Sequence, residues 1–163
     1  MGTFDLAKQV TKANTNITAL DWIVLPRYRV SKDTATLPET TAGELFTVVG
    51  RVKVISIQGE VTTVIETQTD NTKLVANPTV GADVDLCAVL DISADAVGTN
   101  YTITGTLADA MVATTSGAGV YQAAPVFVTA GTIDLDCAAT NTGAVKWTIE
   151  YEPISSDWAV TVA

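Results

Sequence analysis

The chain has 163 residues, enough to bury a hydrophobic core without disulfide bonds or bound metals. Its hydrophobic content of 47% excludes a wholly disordered protein. It has no histidine, so the commonest general base and metal ligand is excluded. The net charge of −9 belongs to residues 83–163, which hold ten acids and one base, Lys146. We therefore expect no nucleic-acid partner, because an acidic body repels phosphate.

The first 43 residues are predicted to form an extended arm with one strand-like segment. An Asn- and Thr-rich run at 11–18 precedes the apolar residues 22–25, after which apolar and basic residues alternate from 27 to 30. This stretch has no helical periodicity. It is either an edge strand of its own domain or an arm laid across a neighbouring subunit, where aromatic residues and arginine dominate contact energy. In the second case the interface candidates are Phe4, Trp22, Arg27, Tyr28 and Arg29.

Residues 44–163 are predicted to form a body of short β-strands. The chain contains 27 threonines, and threonine and valine suit a pleated, half-buried surface. Runs at 46–57 and 61–67 flank Gln58-Gly59-Glu60, a sequence that predicts a tight hairpin turn. The alternation of the first run changes phase near Val54-Ile55, which predicts a bulge or burial on both faces.

The later strands show clearer alternation. The best example is 145–152, where Val145, Trp147, Ile149 and Tyr151 alternate with polar residues and predict a strand with one buried face. Further strands are predicted at 126–128, 133–137 and 159–162. Because Gly, Pro and Asn turns separate these strands and no βαβ rhythm is present, the sequence predicts an all-β fold: an antiparallel β-sandwich or jelly roll.

Catalysis is not predicted. Without histidine, only a lysine or a carboxylate could activate a serine, and none of the six serines lies in a Gly-x-Ser-x-Gly motif. We therefore expect a non-enzyme with no catalytic residues and no cofactor. No stretch has the sustained hydrophobicity of a membrane span, so no membrane partner is expected.

Two pairs of acids are the candidates for metal binding. Asp83 and Asp85, and likewise Asp134 and Asp136, are two residues apart and share a strand face. Neither pair fits the calcium-loop pattern. Solvated strand faces are therefore expected and no metal is predicted, with calcium at a strand-end loop and glycosidase chemistry as the alternatives.

The chain has two cysteines and a few aromatic residues whose burial decides what they can do. Cys87 and Cys137 are expected to be buried small hydrophobes, or a disulfide if their strands are neighbours. Glycan binding through exposed aromatics is open to Trp22, Trp147, Trp158, Tyr101 and Tyr121. The phase of its strand predicts that Trp147 is a core residue, and Tyr121 and Trp158, beside loop residues, are the rings expected to be exposed.

Six segments of the chain resemble small virion proteins of tailed bacteriophages, the kind encoded near the major capsid gene. They are 59–65 (GEVTTVI), 71–74 (NTKL), 77–79 (NPT), 83–88 (DVDLCA), 99–105 (TNYTITG) and 143–148 (GAVKWT). The resemblance covers about residues 46–150 and does not include the arm.

The resemblance implies a capsid decoration (cement) protein: a β-sandwich, often trimeric, that binds the outer capsid surface and bridges major capsid protein subunits. Its partners would be the major capsid protein and further copies of itself, in a homotrimer. Its location would be the virion, assembled in the host cytoplasm, and residues 1–10 indeed lack the apolar region of a secretion signal. The alternatives are a phage tail or fibre component, or a glycan-binding module. Deletion of residues 1–40 is predicted to leave a folded body that no longer binds capsids.

Overall fold

A computed structural model describes residues 26–38, 43–115 and 117–163, and these residues form two six-stranded antiparallel sheets and a two-stranded ribbon. The predicted all-β class is confirmed. The first sheet contains β1 (Tyr28–Asp33), β4 (Val52–Thr63), β8 (Asn100–Thr102), β9 (Val112–Thr114), β10 (Val126–Val128) and β13 (Ala144–Pro153). The second contains β3 (Gly43–Val49), β5 (Asn71–Pro78), β6 (Val84–Asp85), β7 (Leu90–Asp91), β11 (Gly131–Cys137) and β14 (Ala159–Val162). The ribbon pairs β2 (Thr36–Leu37) with β12 (Asn141–Thr142). None of the described segments is a helix long and apolar enough to cross a bilayer.

Strand order places a long strand near the middle of each sheet. The first sheet has the order β1-β13-β4-β8-β9, and β10 pairs with the beginning of β4. The second has the order β14-β3-β11-β5-β6, and β7 pairs with the beginning of β5. On one edge, β4 therefore pairs with β10 through residues 52–54 and with β8 through residues 58–60, which leaves a short gap between the two partners.

One continuous core lies between the sheets. The inward side chains of β13, from Val145 to Tyr151, are all buried, which confirms the one-face pattern predicted for this strand. They belong to the same apolar cluster as Phe46 of β3 and Leu135 of β11 in the second sheet. Burial of apolar surface on both inner faces is the main term that holds a sandwich together.

The bulge predicted near Val54-Ile55 is present. Glu150 lies opposite Ser56, whereas the next residue, Tyr151, lies opposite Val54, so Ile55 is the extra residue of β4. The phase change has a local cause: Val54 and Ile57 both face the core, and only an inserted residue lets a strand of period two do this. The bulge also directs Ser56 to the outer face beside Glu150.

The hairpin predicted at Gln58-Gly59-Glu60 is wrong, because β4 continues through these residues without a turn. Gly59 lies between Trp147 of β13 and Tyr101 of β8. A Cβ atom on Gly59 would lie 2.8 Å from the indole Cζ3 of Trp147. Glycine is needed here for close packing by an aromatic ring, not for a turn.

Replacing Gly59 with alanine should therefore destabilise the fold although its backbone permits a side chain. We expect a loss of about 1–3 kcal/mol, the usual cost of overpacking, in urea unfolding. Gly119→Ala is the matched control, because its Cβ would meet no atom closer than 3.9 Å. The cost at Gly59 should shrink when Trp147 is also changed to leucine, and an equal cost in both backgrounds would contradict the packing explanation.

The described part of the predicted arm belongs to the body. β1 pairs with β13 along its whole length, from Tyr28 opposite Tyr151 to Asp33 opposite Lys146. Residues 26–38 therefore follow the first interpretation, an edge strand of the same domain, while 1–25 and 39–42 lie outside the described residues. Deletion of residues 1–40 would uncover the edge of β13, so a test of the arm should end its deletion at residue 25.

Both cysteines are free and buried, as the sequence predicts. The Cys87 sulfur accepts a hydrogen bond from the backbone N–H of Leu74, and the Thr72 hydroxyl donates to the Cys137 sulfur, each at 3.3 Å. Burial raises the pKa of Cys87 to about 11 and that of Cys137 to about 12. Both thiols are therefore neutral and unreactive at physiological pH.

Candidate functional site

Of the five predicted interface residues, Arg27 and Arg29 lie on the outer face of the first sheet and are exposed. Tyr28 faces the opposite way and is half-buried. Its ring lies 4.4 Å from that of Trp158 and 5.7 Å from that of Tyr151, measured between centroids. The structure thus separates Tyr28 from its two arginine neighbours, as expected for alternate residues of a strand. The remaining candidates, Phe4 and Trp22, lie outside the described residues.

A row of alternating charges runs across one end of this outer face. Arg27 of the chain entering β1 pairs with Glu152 of β13 at 3.4 Å, and Glu152 pairs with Lys53 of β4 at 3.1 Å. Arg29 contacts Glu150 at 3.7 Å. The cations of these pairs are more exposed than the carboxylates, and ion pairs at a protein surface add little stability.

The row ends at an aromatic residue that is not among the five predicted interface residues. Phe127 of β10 lies opposite Lys53 and is 59% exposed. The guanidinium of Arg51 lies over its ring, 5.4 Å from the centroid, in a cation–π contact. The sequence pattern indicates this exposure: Val126 and Val128 face the core, so the residue between them must face outward.

We call these five residues the basic-aromatic patch: Arg27, Arg29, Arg51, Lys53 and Phe127. Four cations face two carboxylates there, Glu150 and Glu152, so the patch carries an excess of positive charge in a chain of net charge −9.

An apolar groove opens beside Phe127, where β10 of the first sheet faces β5 and β6 of the second. It has a volume of about 380 Å³. Its walls include Ala76 and Pro78 as well as the exposed side chains of Val84, Leu107 and Phe127. Large exposed apolar side chains gathered at one place mark an interaction surface more often than scattered ones do.

The acid pairs predicted to lie on solvated faces have different environments. Lys73 of β5 forms ion pairs with one residue from each acid pair: its nitrogen lies 2.9 Å from Asp85 and 3.6 Å from Asp136. The hydrogen bond from Lys73 to Asp85 raises the pKa of the lysine. Asp134 is buried and accepts a hydrogen bond from the amide of Asn77, so the solvated face predicted for it is wrong, whereas Asp83 is exposed. In the part of the chain that the structure describes, no three His, Cys, Asp or Glu side chains are grouped to hold a metal ion.

A polar cavity of about 350 Å³ occupies the centre of the same outer face. Ser31 of β1, Thr148 of β13, and Ser56 and Gln58 of β4 line it, together with charged residues and Tyr121 from the loop before β10. Tyr121 is exposed, as predicted, whereas Trp158, predicted to be exposed, is only partly so because it packs against Tyr28. A smaller cavity of about 140 Å³ shares Gln58 and Thr148 and extends the polar surface towards β8.

Gln122, next to Tyr121, fixes this loop to the sheet. Its amide oxygen accepts from the backbone N–H of Ile57 at 3.2 Å, and its amide nitrogen donates to the carbonyl of Ala124 at 2.6 Å. Ile57 lies in the gap that β8 and β10 leave on the edge of β4. A buried side chain thus replaces the missing strand and holds Tyr121 at the cavity.

No protein-family model matches the chain, and no curated protein or solved structure was found to be similar to it.

Proposed function

We propose that this protein is a structural component of a phage virion, which binds the outer surface of the capsid and stabilises it by bridging major capsid protein subunits. The resemblance of residues 46–150 to small virion proteins suggests the partner. The single observation that carries a docking function is the exposed ring of Phe127 between the apolar groove and the cations of the basic-aromatic patch. Aromatic residues and arginine at the centre of an interface contribute most of its binding energy.

The chemistry of this surface specifies what it would recognise. The groove accepts an apolar side chain, and the cations on the Phe127 side of it favour acidic residues on the partner. Residues 1–25 join the described body at Pro26, beside Arg27, at the same end of the sheet. Phe4 and Trp22 lie in the segment that precedes Pro26, and the proposal keeps the interface role predicted for them.

The proposal includes a homotrimer. One protomer with one docking surface holds one neighbour weakly, whereas three copies joined around a capsid threefold axis bind together and gain from effective concentration. Sedimentation velocity of the isolated protein measures this directly. A monomer at micromolar concentration would contradict the trimer but not the docking surface.

Co-sedimentation with capsids that lack the protein tests the docking surface. Phe127→Ala should weaken capsid binding by about 2 kcal/mol or more, the usual threshold for a hot-spot residue. Val64→Ala is the matched control, since Val64 is 55% exposed and follows the last residue of β4, at the end of the strand that is remote from Phe127. Because both side chains are exposed, neither change should unfold the body. Equal binding by the two variants would contradict the assignment of the patch.

A chain lacking residues 2–25 tests the arm separately. It should fold, because β1 is retained, and it should bind capsids more weakly than the full chain. Cryo-electron microscopy of virions carrying the protein distinguishes the head from the alternative location: density on a tail or fibre would replace the capsid proposal with the tail proposal.

A further inference from the structure

We infer that the polar cavity on the outer face of the first sheet binds a neutral saccharide. This site borders the basic-aromatic patch at Arg29, but its other lining residues are not part of the patch, and saccharide binding goes beyond capsid binding. Its volume of about 350 Å³ is within the range of small-molecule sites, and it lies on paired strands of a sheet, which hold side chains in fixed positions.

The charges around the cavity cancel. Arg29 and Lys146 supply two cations, and Glu150 supplies a carboxylate to the cavity itself. Glu60 adds a second carboxylate in the adjoining smaller cavity. Arg29 is already paired with Glu150. A balanced site gives an anion or a cation no advantage, so a neutral ligand with many hydroxyl groups is favoured.

The floor of the cavity offers both hydrogen-bond donors and hydrogen-bond acceptors, as the hydroxyl groups of a ligand require. The Ser31 and Thr148 hydroxyls bond to each other at 2.8 Å, an arrangement that uses one of their two protons and leaves the other for a ligand. Gln58 adds an amide with both donor and acceptor atoms. Hydroxyl and amide groups can both donate hydrogen bonds to sugar hydroxyls and accept hydrogen bonds from them, whereas cationic side chains can only donate.

Ser56 supplies the observation that indicates a ligand. Its residue is 2% exposed, it lines the cavity, and its hydroxyl has no hydrogen-bond partner among the described residues. A buried polar group without a partner costs free energy, and apolar residues would fill this position on the strand at no such cost. Its oxygen is enclosed in the free protein, so a saccharide hydroxyl would satisfy it after a small shift of the side chains that line the cavity.

Tyr121 provides the aromatic face. Its ring is 50% exposed at the cavity, and the hydrogen bonds of Gln122 hold the loop that carries it. The C–H face of a pyranose ring stacks on an aromatic ring while its hydroxyls reach polar groups beneath. Because the loop is fixed before binding, little conformational entropy is lost when the ligand binds.

Two-dimensional NMR titration with millimolar saccharides tests the inference. The probes are glucose, galactose, mannose and N-acetylglucosamine with their disaccharides, and one sulfated disaccharide as a charged comparison. We expect saturable shifts at Ser56, Tyr121 and Thr148 with at least one neutral probe. Tyr121→Ala and Ser56→Ala should each weaken that binding by about tenfold.

Two controls make the result decisive. Val120→Ala, next to Tyr121 and equally exposed, should leave saccharide binding unchanged. Ser56→Ala should keep or raise the melting temperature, because it removes a buried hydroxyl without a partner, so a loss of binding cannot come from unfolding. The inference is overturned if no neutral probe gives saturable shifts, if the sulfated probe binds more tightly, or if Tyr121→Ala binds as well as the original chain. Capsid binding by Ser56→Ala should be unchanged, because Ser56 is buried and is not part of the basic-aromatic patch, so the two proposals fail independently.

Discussion

Trp147→Ala should lower the free energy of unfolding by about 3–5 kcal/mol, the range measured when large aromatic residues are removed from cores. Trp147 is 1% exposed and lies in the central pair of the first sheet, against Gly59 on the neighbouring strand. Its ring stacks on Tyr101 at 6.2 Å between centroids, and the Tyr101 hydroxyl donates to Asp95 at 2.6 Å. Because Gly59 lies opposite Trp147, the position of β4 that faces the ring has no side chain with which to fill the cavity.

Trp158→Ala is the matched control for this prediction. Trp158 is only partly buried, at the margin of the core, and its contacts are with Tyr28 and Tyr151. We expect a loss of about 1–2 kcal/mol, in proportion to the smaller area buried. Urea unfolding measures both. If the two variants were equally stable, Trp147 would not be the central packing residue that its position indicates.

The sequence predicted strands where one face is buried and the other solvated. β13 is the clearest example, since apolar and polar residues alternate from Val145 to Glu152. β5 was missed as a strand, because Leu74 and Val75 are both buried and break the alternation, and its polar residues find partners on other strands. Lys73 pairs with Asp85 and Asp136, a contact that no local pattern can indicate.

The wrong hairpin has a similar cause. Gly59 has the local signature of a turn, but its reason lies 88 positions away in sequence, at Trp147. A glycine can mark either a turn or a position where another group packs closely against the backbone. Tertiary contacts decide which of the two applies, and these contacts are known only once the strand pairing is known.

The candidate surfaces were predictable in part. Arg27 and Arg29 were predicted as interface residues because they lie in the predicted arm and arginine contributes strongly to interfaces, and the alternation of their strand separates them from Tyr28. Phe127 could have been found from the inward phase of its neighbours. Ser56 and Gln122 could not, because one depends on a bulge and the other on a gap between two strands that pair with the same edge.

Stability should fall steeply at alkaline pH because of the two buried thiols. Burial is the main cause that raises the pKa of Cys87 from 9.0 to about 11 and that of Cys137 from 9.0 to about 12. A raised pKa in the folded state means that stability is complete below the unfolded pKa and is lost as the pH rises through the folded value. At pH 11 each thiol should cost about 2–3 kcal/mol relative to pH 8, a large share of a typical domain's stability.

The double variant Cys87→Ala, Cys137→Ala isolates this effect. Other groups also titrate in the alkaline range: burial raises the pKa of Tyr101 and Tyr151, and these tyrosines remain in the variant. At pH 8 the variant should be less stable than the original chain, since each substitution removes a buried sulfur. Between pH 8 and pH 11 it should lose about 5 kcal/mol less than the original chain, so the order of stability should reverse. Urea unfolding at both pH values measures the difference, and parallel losses in the two chains would show that the thiolates are accommodated and that the core around them opens to water.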